Sequence, residues 1–265
     1  MKFLSYAAYG LRIGLETTLD VLPYLSSPLI PGAELATAEP PLARFRFQPA
    51  RSANGDLAFQ VSGDSIGVFS SSNVAAAARE LESRLHHYVA ASTEVAVFVH
   101  AGVLEWRGRA MLIPGPSHSG KSTLVAALVS KGATYFSDEY AVIDLEGRVH
   151  AFPRPLHLRP DILLQLAASV PPSVPTMNYS GRLHPLPLAW VLHIRYNPAG
   201  TWQPRTLTPG QMLLALLENT VAVRRQSELT VRTLKSAIRQ AAGWQAERAD
   251  AMSAAENILE LLDRS

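Results

Sequence analysis

The chain has 265 residues, 48% of them hydrophobic and 17% charged, with a formal net charge of +2 and no cysteine. That length and apolar content describe a folded chain with a substantial core, organised as one large domain or two small ones, and exclude an intrinsically disordered protein. The near-neutral balance argues against broad nucleic-acid binding, and the missing cysteines exclude disulfides, thiolate catalysis and cysteine-based zinc sites.

Residues 1 to about 70 read as β-rich with irregular links. Phe3 to Leu11 superficially resembles a signal peptide, but Ser5, Tyr6 and Tyr9 interrupt it, and Arg12 and Glu16 follow closely. Tyr9 to Leu15 and Ala43 to Phe47 alternate apolar and polar or small positions. Leu57–Val61 and Ser65–Phe69, separated by Ser62-Gly63-Asp64, predict a hairpin. Ser72 or Asn73 then caps a helix on which Val74, Ala77, Leu81, Leu85 and Tyr88 recur at helical spacing. His86-His87 on that helix is no metal pair, because adjacent helical side chains diverge. The domain expectation is therefore a lobe over 1–90, including this connecting helix, and a second domain over 91–265.

Val95–Val99 is a short apolar run expected of a buried strand, continuing through His100 to Trp106 and a turn at Arg107-Gly108. Ala110–Ile113 predicts the next strand. It leads into Gly115-Pro116-Ser117-His118-Ser119-Gly120-Lys121-Ser122, which fits G-x-x-x-x-G-K-[ST], and then a helix from Thr123. Two glycines allow the backbone to turn its N–H groups inward as an anion nest, and the helix N-terminus adds partial positive charge. Gly115 to Thr123 is thus the expected binding segment for a nucleoside triphosphate, with Lys121 on the β- and γ-phosphates and Ser122 on Mg2+. Because ATP and Mg2+ are cytosolic reagents, and no run approaches the roughly 18 apolar residues of a membrane span, a cytoplasmic location with no membrane association is expected.

Gly132 sits where a helix-ending glycine belongs. Thr134-Tyr135-Phe136 then runs into Ser137-Asp138-Glu139 and a hairpin over Tyr140–Leu145 and Val149–Phe152. Mg2+ needs at least one carboxylate beside Ser122, and Asp138, just past a short strand, is the first choice, with Glu139 adjacent. Pro153 to Pro187 is studded with proline. There Arg154 and Arg159 are candidates for phosphate or substrate contact, and Ser173–His184 for a lid or groove. Val191–Tyr196 predicts a strand, and 211–219, 230–242 and 251–262 predict terminal helices.

Three motifs occur in order: His100-Ala101-Gly102-Val103-Leu104, the phosphate loop, and Ser137-Asp138-Glu139. In this order and spacing, residues 93–160 resemble the catalytic domain of the HPr kinase/phosphorylase family and its stand-alone HprK-like relatives. Tyr9-Gly10-Leu11 resembles their N-terminal part more weakly. The resemblance implies an α/β mixed-sheet P-loop fold of the HPr kinase/phosphoenolpyruvate carboxykinase type, with the loop at the edge of the sheet and a β-rich N-terminal lobe. It also implies a kinase acting on a serine of a protein or peptide with ATP and Mg2+. Asp138 would be the general base, His100 would orient or tune it, Lys121 and Ser122 would hold phosphates and metal, and Glu139 would assist the metal. The chain departs from the family at His118, where a glycine is usual, and at Glu139, where a second aspartate is usual. It also lacks a counterpart of the C-terminal phosphorylase segment. A nucleotide-binding regulatory module with little catalysis and a small-molecule kinase remain the alternatives. The acceptor's identity, any reverse reaction, ATP or GTP preference and homo-oligomerisation stay open.

Overall fold

The computed structural model describes every residue except 19, 37–39, 52–53, 65, 117–118, 155 and 157–183. Ser117, His118, Arg159 and nearly all of Ser173–His184 lie outside the described residues. The chain divides into two compact units, Met1–Val95 and Ala96–Ser265, and its class is α/β with mixed sheets.

The first unit carries a six-stranded sheet in the order β3-β1-β2-β4-β5-β6. Its members are β1 (Lys2–Ala8), β2 (Leu11–Thr17), β3 (Glu34–Leu35), β4 (Ala43–Arg51), β5 (Leu57–Gly63) and β6 (Ile66–Ser71). The signal-like N-terminus is strand β1, joined to β2 through Tyr9 and Gly10, both at positive φ. Helix α1 (Val74–Ser92) starts at Asn73, whose Oδ1 accepts from the Ala76 N–H at 3.0 Å. It packs on β5 and β6 and buries Ala77, Leu81 and Leu85. Phe45 meets Tyr88 edge to face at 5.5 Å between centroids. His86 is buried with Nε2 2.9 Å from the Leu29 carbonyl, while His87 is exposed. These are structural surroundings.

The second unit is built on β7 (Ala96–Trp106), β8 (Arg109–Pro114), β9 (Thr134–Ser137), β10 (Tyr140–Asp144), β11 (Arg148–His150), β12 (Leu186–Tyr196), β13 (Arg205–Thr206) and β14 (Ala242–Arg248). The main order is β11-β10-β7-β8-β12-β14-β13, with β9 on β7. Strands β8, β12 and β14 run parallel, and β7 is antiparallel to β8, β9 and β10. Both faces are covered, which is why the strands read as continuous apolar runs. Met111 and Ile113 join a core with α2 (Lys121–Ser130) and α5 (Ala251–Asp263). Ala110 and Leu112 face a second core with α3 (Pro209–Leu217) and α4 (Ser227–Ala237). Strand β8 is interior, so the loop that follows it leaves the middle of the sheet and not its edge.

One element differs from the sequence expectation. The helix expected over 230–242 ends at Ala237, with a 3-10 turn to Gln240, and Ala242–Arg248 forms β14. The reason is tertiary: the strand pairs with β12 from Trp190↔Ala242 to Tyr196↔Arg248. Gly243 is bare because a Cβ there would lie 2.5 Å from Met212 Sδ.

Close packing also sets the distance between β7 and α2. A Cβ on Gly102 would come 2.6 Å from Val125 Cγ2, the end of a stiff β-branched side chain. Gly102→Ala is therefore expected to destabilise the chain by about 1–3 kcal/mol, seen as a lower urea midpoint at unchanged slope. Val125→Ala removes the obstructing methyl and should recover part of that loss in the double variant. Strict additivity of the two losses would show that the side chains do not collide.

Candidate functional site

Sheet register brings together residues far apart in sequence. His100 is the hinge of the arrangement. Its neighbour Ala101 pairs with Pro114 at the end of β8, and His100 itself pairs with Tyr140 at the start of β10. The Gly115 N–H donates to the His100 carbonyl at 3.3 Å, and the Ala101 N–H donates to the Glu139 carbonyl at 3.0 Å. The start of the glycine-rich loop and the acidic pair are thereby hung on one stretch of β7.

The loop runs from β8 into α2. Gly120 stands at the helix N-cap with φ +85°, a left-handed conformation that suits glycine. Gly115 is not among the positive-φ glycines. Its carbonyl accepts from His100 Nδ1 at 2.8 Å and from Lys121 Nζ at 2.8 Å. Lys121 also donates to the Pro116 carbonyl at 2.7 Å, so two of its three ammonium hydrogens are spent on the loop itself. Lys121 is only 7% exposed. Burial lowers its pKa to about 8, with Asp138 pulling the other way.

Ser122 and Thr123 lie in the first turn of α2, both half-buried. Ser122 Oγ donates to Asp138 Oδ2 at 2.8 Å. Asp138 follows the end of β9, as its place after a short apolar strand predicts. Its other oxygen, Oδ1, lies 3.0 Å from the Tyr135 hydroxyl, which is also 3.0 Å from the Arg154 carbonyl. Tyr135 is 1% exposed, and burial, followed by the neighbouring Asp138 charge, raises its pKa well above the usual phenol value. Its hydroxyl therefore stays protonated as a donor. Glu139 does not share the position of Asp138: its carboxylate is ion-paired with Arg154. The Ser137 hydroxyl accepts from the N–H groups of Glu139 at 3.1 Å and Tyr140 at 3.0 Å, fixing the bend between β9 and β10.

His100 is held below its ordinary pKa, chiefly by burial. A carbonyl can only accept, so Nδ1 carries the proton toward Gly115, and the neutral ring keeps Nε2 as a bare acceptor. The ring stands edge-on to Tyr140 at 5.9 Å between centroids. The direct contact that orients the Asp138 carboxylate comes from Tyr135 and Ser122; His100 fixes the loop at Gly115.

Two neighbours of the candidate site escaped sequence reasoning. Tyr135 entered the sequence reading only as part of the short strand before Asp138; its one legible signal is a phenol, not a phenyl, at a strand position, since a buried hydroxyl needs a partner. Arg248, at the end of β14, donates from Nη2 to the Gly120 carbonyl at 2.9 Å and lies over the Tyr196 ring at 5.3 Å. No local signal marks it, because the strand that delivers it is recognisable only through its pairing with β12.

No family model, curated protein or solved structure matches this chain. Among the described residues no helix is long and apolar enough to cross a membrane.

Proposed function

We propose that this chain is an ATP- and Mg2+-dependent HprK-like kinase that transfers the γ-phosphoryl group to a serine hydroxyl of a protein or peptide. The observation that carries this reading is the 2.8 Å bond between Ser122, in the first turn after the phosphate loop, and the carboxylate of Asp138. A hydroxyl and a carboxylate side by side are the hard oxygen donors that Mg2+ takes from a protein when phosphates and water supply the rest. Ser122 and Asp138 would hold the ion, which supplies neutralisation of the charge on the β- and γ-phosphate oxygens. Glu139, committed to Arg154, fits a supporting role through that arginine better than a direct one.

In the reaction the acceptor oxygen bonds to the γ-phosphorus as the bond to the β–γ bridging oxygen breaks and ADP leaves. Asp138 takes the acceptor's proton; its two oxygens have lone pairs beyond those used by Ser122 and Tyr135. Lys121 exchanges the Gly115 and Pro116 carbonyls for phosphate oxygens and follows the developing charge. The loop amides and the α2 N-terminus position the phosphate chain, so most of the rate comes from placement and electrostatics.

The test is incubation with γ-labelled ATP, Mg2+ and a library of serine-containing peptides. Label on peptide serine, lost with Ser→Ala acceptors, is the expected result. Label transferred only to small hydroxyl compounds would favour a small-molecule kinase. Tight ATP binding with no acceptor labelled would leave a nucleotide-binding module and overturn the kinase reading.

A further inference from the structure

The parallel strands β12 and β14 end side by side at Tyr196 and Arg248, and their parallel neighbour β8 ends at Pro114, where the loop begins. The carboxyl ends of parallel strands are where α/β folds, open or closed, commonly hold ligands. Around the phosphate loop the two flanks differ. On the β7 flank stand Ser122, Asp138 and Tyr135. On the β12–β14 flank stand Tyr196 and Arg248, against Gly120: a Cβ built on that glycine would lie 3.7 Å from Tyr196 Cβ and 2.7 Å from Arg248 Nη2.

We infer that Tyr196, braced by Arg248, is the stacking platform for the purine base of the bound nucleotide. The inference rests on the nucleotide-binding reading of the loop. With metal donors and the acid on one flank, the γ-phosphate end belongs there, and the nucleoside must leave the loop on the opposite flank. There the chain presents Tyr196, 53% exposed, at the end of a strand whose centre is buried. Val191, Leu192 and Ile194 of the same strand reach the interior, and the strand emerges at Arg195 and Tyr196, where the tyrosine is its aromatic end. Arg248 is only 5% exposed, yet its guanidinium is placed, not stranded. Nη2 holds the Gly120 carbonyl, Nη1 lies 3.3 Å from the Ala249 carbonyl, and Cζ lies over the Tyr196 ring at 5.3 Å from its centroid. Loop and ring are thus fixed to one another before any ligand arrives, which lowers the ordering cost of binding. Stacking tolerates any large flat base, so this surface selects for an aromatic base.

Calorimetry with ATP, ADP and inorganic tripolyphosphate tests this on the full chain. Wild type should bind ATP more tightly than tripolyphosphate. Tyr196→Ala should weaken ATP and ADP by about tenfold and leave tripolyphosphate unchanged, and Tyr196→Trp should keep wild-type nucleotide affinity. An equal loss for ATP and tripolyphosphate would mean that Tyr196 only supports the loop, and unchanged ATP affinity would mean that the base lies elsewhere. Either result overturns the platform while the phosphate loop stands. If wild type bound neither ATP nor tripolyphosphate, the nucleotide reading itself would fail, and the platform with it.

Discussion

Asp138→Asn is expected to lower phosphoryl transfer by about a hundred- to ten-thousand-fold, the range for losing a positioned proton acceptor, while the loop still binds ATP. The substitution is isosteric. The amide oxygen can still accept from one of the two hydroxyls that now bracket the carboxylate, Ser122 at 2.8 Å and Tyr135 at 3.0 Å, and the other hydroxyl can rotate to accept from the amide nitrogen. What disappears is the negative charge, and with it both the proton acceptor and the anionic partner for a cation at Ser122. The measurement is single-turnover transfer beside equilibrium ATP binding in the same preparation, with Mg2+ varied. Tyr135→Phe serves as the graded companion. It removes the donor on Oδ1 but leaves the charge, so a smaller loss of about 10- to 100-fold in activity or metal affinity is expected, as for supporting residues around metal sites. Transfer by Asp138→Asn at the wild-type rate would remove Asp138 from the chemistry.

Lys121→Met should cost transfer about a hundred- to a thousand-fold, the scale set by deleting one preorganised donor to developing negative charge. The methionine fills similar buried volume, so the chain should keep its fold. The same lysine predicts a pH dependence. Burial holds its pKa near about 8, against 10.5 for the free side chain. A bound triphosphate favours the ammonium form and pulls the pKa back up, so above about pH 8 binding must take up a proton. ATP affinity is then expected to fall by up to about tenfold per pH unit above that point. Calorimetry in buffers of different ionisation heat would register the proton, and Lys121→Met should abolish the slope. The sign for stability is opposite. The folded pKa is depressed, so between pH 8 and 10.5 the unfolded chain binds more protons, and stability of the free chain rises with pH across that window. A flat affinity profile in wild type would show that the ammonium never approaches the phosphates.

The legible part of the site was contiguous or tied to a strand end. Gly115 to Ser122 carries its own instructions, because a glycine turn, a lysine and a helix start are local features. Helix α1 was legible for the same reason: its cap and its apolar spacing lie within one segment. Asp138 could be placed because a short apolar strand leads straight into it. By contrast, β14 carries glycine, glutamine and alanine where a strand former would advertise itself, and only its pairing with β12 and the approach of Met212 make sense of it. Glu139 was legible as the neighbour of Asp138, but its ion pair with Arg154, beyond the bend held by Ser137, was not.

From the order of residues alone came the strand–loop–helix around Lys121 and the short strand that leads into Asp138, since backbone preference and short-range spacing act along the chain. Which side chains finish the site depended on register between strands: His100 on Gly115, and Arg248 across 128 positions on Gly120. Such pairings rest on hydrogen bonds and packing between segments whose separation along the chain carries no local energy, so they emerge only when the sheet has closed around them.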